Sequence, residues 1–106
     1  MVEAQKEKSL KELFRDFLYN LEEFLHKHAV ADPTKMVAVY IQEPQKTTLG
    51  FISRGVISLF GKHYPFRATL DTELQTVELE SDIFIFNLKI EEVRKFLDEL
   101  HGGDSK

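Results

Sequence analysis

From Ser9 onward the apolar positions recur at steps of three and four: Leu10, Leu13, Phe14, Phe17, Leu18, Leu21, Phe24 and Leu25, then His28. At 100° per residue they fall within an arc of about 140°, the stripe of a helix that buries one face. Ser9-Leu10-Lys11-Glu12 has the spacing of a capping box, in which the hydroxyl accepts from the N–H three residues on. Asp32-Pro33 stops the pattern, because a residue before proline avoids the α region. One amphipathic helix over about 10–28 is expected.

After Pro33 the period becomes two. Met36 to Gln42 reads as a strand with Val37, Val39 and Ile41 on one face. Glu43-Pro44-Gln45-Lys46 suits a turn. Further strands are predicted at 47–53, 56–60, 66–71 and 74–80, punctuated by Gly55, by Gly61 to Pro65 and by Asp71-Thr72-Glu73. In the last of these Glu78 and Glu80 share a face that should meet water. Ile83-Phe84-Ile85-Phe86 is apolar at every position, the pattern of an interior strand covered on both sides. Asn87 is placed to cap a second helix, with Glu91 and Glu92 in its first turns and Ile90, Val93, Phe96, Leu97 and Leu100 as its stripe. Gly102-Gly103 ends that helix.

The expected fold is an α+β two-layer sandwich. It has an N-terminal helix, an antiparallel meander of four to six strands and a C-terminal helix, with both helices on one sheet face. Residues 1–106 form a single domain, with 1–8 and 104–106 frayed.

Composition narrows the classes. A chain of 106 residues, 42% apolar and 30% charged, builds one core and is neither disordered nor fibrous. No stretch approaches the ~20 apolar residues of a membrane helix, so no membrane partner is expected. Charge near the N-terminus where a signal peptide needs an apolar run points to a cytoplasmic protein. With no cysteine, disulfide frameworks, zinc–thiolate sites and cysteine catalysis fall away. Absent cysteine, few Asn and Gln and abundant Lys and Glu match hyperthermophile usage.

Charge is uneven. Residues 44–70 hold Lys46, Arg54, Lys62 and Arg67 and no acid, whereas 71–106 hold ten acids against four bases. Such a window either attracts an anion or pairs with acids on neighbouring strands, since opposite charges facing across a sheet stabilise it mildly.

Few constellations carry chemistry. Glu23 to His26 matches the E-x-x-H of di-iron bundles but occurs once and points away from the apolar stripe, so a solvated helix face is expected. His28 lies on the stripe near the helix end, where a partly buried imidazole bonds the last carbonyls. Gly61-Lys62-His63 lacks both the first glycine and the hydroxyl of a phosphate loop. Serines 53 and 58 have no base near them in sequence. No catalytic residue, metal ligand or cofactor is expected.

The segment Phe60 to Arg67 alternates aromatics with cations, the mix that holds single-stranded nucleic acid. Lys46, Arg54, Lys62, His63, Tyr64 and Arg67 are its candidate contacts. Against this stands the net charge of −4. Nine phenylalanines and thirteen leucines exceed what one sheet face and two helices hide. The first expectation is therefore a non-enzymatic homodimer that binds another macromolecule, a protein, with Phe51, Ile52, Ile83, Phe84, Ile85 and Phe86 at the dimer interface. A nucleic-acid-binding module is the rival. An enzyme or small-ligand binder with a pocket between helices and sheet is third.

Overall fold

The computed structural model describes residues 9–28 and 37–102. The ends expected to fray, the stop at Asp32-Pro33 and the strand position of Met36 lie outside them. In chain order the elements are α1 (Leu10–Tyr19), α2 (Leu21–Lys27), β1 (Val37–Ile41), β2 (Gln45–Lys46), β3 (Gly50–Leu59), β4 (Lys62–Asp71), β5 (Thr76–Ser81), β6 (Phe84–Lys89) and α3 (Ile90–Gly102). This is an α+β two-layer fold with an antiparallel sheet in the order β1-β3-β4-β5-β6, β2 also pairing with β3. The shortest dimension of the molecule is 20 Å. A helix layer on a sheet fills that thickness, since packed layers lie about 10 Å apart.

The expected single helix is two. Ser9 Oγ accepts from the Glu12 N–H at 3.2 Å, as its spacing foretold. The helix then breaks at Asn20, whose Nδ2 donates to the Asp16 carbonyl at 2.8 Å while its own N–H is shared between Asp16 and Phe17. Asparagine competes locally for backbone acceptors, which a periodicity count does not see. The stripe survives the break: Phe17, Leu18 and Leu21 are all buried.

The edge opposite β6 is one strand with a fault in it. Ile41 pairs with Gly55 and Gln45 with Ile52, so β1 and β2 run in one direction along β3 with one extra residue between them. Glu43-Pro44 is thus a bulge and not a reversal. Ser53, itself buried, fixes it by donating its hydroxyl to the Gln42 carbonyl at 2.7 Å. The reversal comes at Thr47 to Gly50, closed by Thr47 N–H to the Gly50 carbonyl at 2.8 Å.

Strand β3 passes through Gly55 without interruption. A Cβ there would lie 2.1 Å from the Tyr40 carbonyl oxygen and 2.7 Å from the Phe66 ring, so this glycine admits close neighbours and does not mark a turn. Pro65 likewise sits within β4. Leu59 and Lys62 close a two-residue turn, so alternation leaves Val56 and Pro65 a non-hydrogen-bonded pair. β5 reaches only to Ser81 opposite Phe66, so the N–H that Pro65 lacks has no strand to bond.

Strand β6 is an edge, not the interior strand that Ile83 to Phe86 suggested, and it pairs only with β5. It continues through Asn87 to Lys89, so Asn87 caps nothing. Instead the Glu92 carboxylate accepts from the Lys89 N–H at 2.9 Å at the start of α3.

Ile57 and Leu59 of β3, Phe66, Ala68 and Leu70 of β4, Val77 and Leu79 of β5 and Phe84 of β6 share one sheet face by register. They form one core cluster with the buried residues of all three helices. Phe24 is its hub: its ring meets Phe17, Phe86 and Phe96 edge-on at 5.1, 5.0 and 5.4 Å.

Candidate functional site

The other sheet face lies open. By register it has five rows: Ala38-Ser58-His63; Tyr40-Val56-Pro65; Arg54-Arg67-Glu80-Ile85; Ile52-Thr69-Glu78-Asn87; and Gly50-Asp71-Thr76-Lys89. Among the described residues no element lies over it. Tyr40 is 63% and Ile85 70% exposed, while Ile52 and Val56 are half-covered by their neighbours. Next to these apolar groups stand Arg54, Arg67, Glu78 and Glu80, all exposed.

Its charges are incompletely matched. Arg67 pairs with Glu80 across β4 and β5, as the composition led one to expect. Arg54, however, stands directly opposite Arg67, a like-charge pair that weakens a sheet. Glu78 is flanked by Thr69 and Asn87. Neither Arg54 nor Glu78 has an ion partner among the described residues. A shallow depression of about 380 Å³ lies against Arg54, Pro65, Arg67, Glu80 and Asp82. A second, of about 310 Å³, sits at the far end over Ile52, Thr69 and Glu78, with Leu49 and Leu74 in its walls.

The six cationic and aromatic contacts expected from sequence do not form one surface. Arg54, His63 and Arg67 lie on the open face, whereas Lys62, Tyr64 and Lys46 share the register of the core side. Tyr64 is half-buried and packs on the core. The expected dimer residues divide as well. Phe51, Phe84 and Phe86 belong to the core side and Ile83 packs against the core, which leaves Ile52 and Ile85 on the open face. Tyr40 was not singled out, although the placing of Val37, Val39 and Ile41 on one face already put it on the other.

The helix side has a groove of about 290 Å³ bounded by Phe17, Phe24, Lys27, His28, Leu88 and Phe96, among others. His28 is exposed there. Its ring leans on Phe24 at 4.2 Å and on Phe86 at 5.5 Å, and its side chain bonds no carbonyl of the helix. Stacking on Phe24 replaces the expected cap. Lys27 donates to Glu99 across the groove. That hydrogen bond, with the charge behind it, holds the Glu99 carboxyl below its ordinary value.

Glu23 is exposed while His26 is half-buried, with Nε2 enclosed and unpartnered, so this helix face is less solvated than expected. Ser58 lies opposite His63 on the open face, yet no hydrogen bond joins them and their row holds no carboxylate. Among the described residues no group of His, Cys, Asp or Glu is placed to hold a metal ion, and no helix is long and apolar enough to cross a membrane. Compared with protein families, curated proteins and solved structures, the chain matches none.

Proposed function

We propose that this is a non-enzymatic, self-associating protein that works by presenting the open sheet face to other protein surfaces. What supports the reading is a single observation: among the described residues nothing covers one face of the sheet, and that face mixes exposed apolar side chains with charges of both signs that have no ion partner among those residues. Hiding Ile85 and Tyr40 from water favours association at roughly 25 cal/mol per Å² of apolar area, and the surrounding charges restrict which surfaces fit. Interfaces of this kind place aromatic and aliphatic groups at the centre with charges around them. The rival, single-stranded nucleic acid, is weakened by the division of its contacts between two faces. Of the rings and cations expected to act together, Tyr64, Lys62 and Lys46 lie on the core side, which leaves Tyr40 as the exposed ring on the face of Arg54 and Arg67.

Size-exclusion chromatography with light scattering tests the reading. A species of twice the 12.3 kDa chain mass is expected at micromolar concentration. Ile85→Glu, which places a carboxylate on the exposed apolar position, should return the chain to its single mass without lowering its helix content. A wild-type chain that stays at 12.3 kDa at every concentration overturns self-association.

A further inference from the structure

Resting on that reading, we propose that the occupant of the open face is a second copy of this chain, packed face to face about a twofold axis parallel to β4. Arg54 of each copy then lies over Glu78 and Glu80 of the other. A rotation about such an axis leaves the rows in place and carries β3 of one copy onto β5 of its partner, while β1, which pairs with the other end of β3, lies past the end of the partner's β6. Arg54 is on β3 and Glu78 on β5, equally spaced on either side of β4, and neither has an ion partner among the described residues. These two charges, unmatched within one chain, are matched between two.

The apolar groups obey the same rotation. Tyr40 on β1 comes within one row of the partner's Ile85 on β6. Leu49 and Leu74, both largely exposed, wall one depression at the same end of the sheet. They are tied there by the Thr72 N–H to Leu49 carbonyl bond at 3.0 Å. Leu49 belongs to the turn before β3 and Leu74 to the turn before β5, so Leu49 meets the partner's Leu74. Arg67 lies beside the axis, already neutralised by Glu80 of its own chain.

Face-to-face sheets pack about 10 Å apart, a gap that an arginine side chain spans.

Charge exchange tests the arrangement. Arg54→Glu puts like charges together twice in a symmetric pair and should weaken association roughly a hundredfold or more. The same variant turns the Arg54-Arg67 cross-strand repulsion into an attraction, so the monomer should melt no lower than wild type. Glu78→Arg alone should also weaken association. Mixed in equal amounts, Arg54→Glu and Glu78→Arg chains should form a mixed dimer, detected by native mass spectrometry. Circular dichroism confirms that each variant folds, and Arg54→Gln serves if the reversal does not.

A wild-type dimer that is indifferent to Arg54→Glu, or a mixture that fails to pair, overturns this arrangement while leaving self-association standing. A wild-type chain that is monomeric throughout overturns both. A monomeric wild type that shifts a single-stranded oligonucleotide in a gel, the shift being lost in Arg54→Glu, assigns the face to a polyanion instead.

Discussion

At the scale of single residues, Phe60 stands out as a cost within the fold. It sits at φ 56° beside Gly61 at φ 78°, so both central residues of the β3–β4 turn are left-handed. That geometry suits asparagine followed by glycine, and an aromatic there is strained by about 1–2 kcal/mol. The ring is 65% exposed, so its replacement loses little burial. Phe60→Asn should therefore stabilise the chain by about 1 kcal/mol, read from the urea midpoint. An unchanged or lower midpoint would contradict a strained turn at Phe60. Phe24 is the opposite case. With three phenylalanine rings and the His28 ring against it and almost no exposure, Phe24→Ala should cost about 3–5 kcal/mol.

Residue roles were unevenly legible in sequence. The core stripe Leu13 to Leu25 could be read because period and burial coincide. Gly55 and Pro65 were misplaced because a residue that breaks strands in general is tolerated where a neighbour fills its space or no partner strand needs its N–H.

At the scale of elements, two features are local devices. The bulge between β1 and β2 is held by the Ser53 hydroxyl on the Gln42 carbonyl. Ser53→Ala should cost about 1 kcal/mol and raise amide exchange along β1. The second device is the Lys27–Glu99 clip between α2 and α3. Because Glu99 has a lowered pKa in the folded chain, its contribution is complete above the ordinary carboxylate value and is lost as pH falls through the lowered one. Glu99→Gln should therefore flatten part of the acid-side fall in stability and leave the neutral side level. An unchanged acid profile would remove the clip from the account.

Element type was legible wherever periodicity held: both helical stripes and the meander follow from it. Element ends were not, because Asn20, Lys89 and the Glu43-Pro44 bulge are set by individual hydrogen bonds and register. The apolar run at Ile83 to Phe86 misled for a related reason. Phe84 and Phe86 face the core while Ile85 stands on the open side, so an edge strand reads like an interior one.

At the scale of the whole molecule, the shortest dimension is 20 Å, and among the described residues no element covers the second sheet face. Among the described residues the large apolar side chains left exposed are Tyr19, Tyr40, Leu49, Phe60, Leu74 and Ile85; the core takes most of the phenylalanines that weighed in the composition. What the sequence could not show was that Arg54 would oppose Arg67, since register decides it. Dilution NMR addresses the open face most directly. Between about 1 mM and about 10 μM, a range that brackets weak to moderate association, backbone amide signals of Tyr40, Ile52, Val56, Arg54 and Ile85 should shift together while those of Phe14, Leu25 and Val93 hold still. Shifts confined to the helices or to the β6 edge, or none at all, would contradict it.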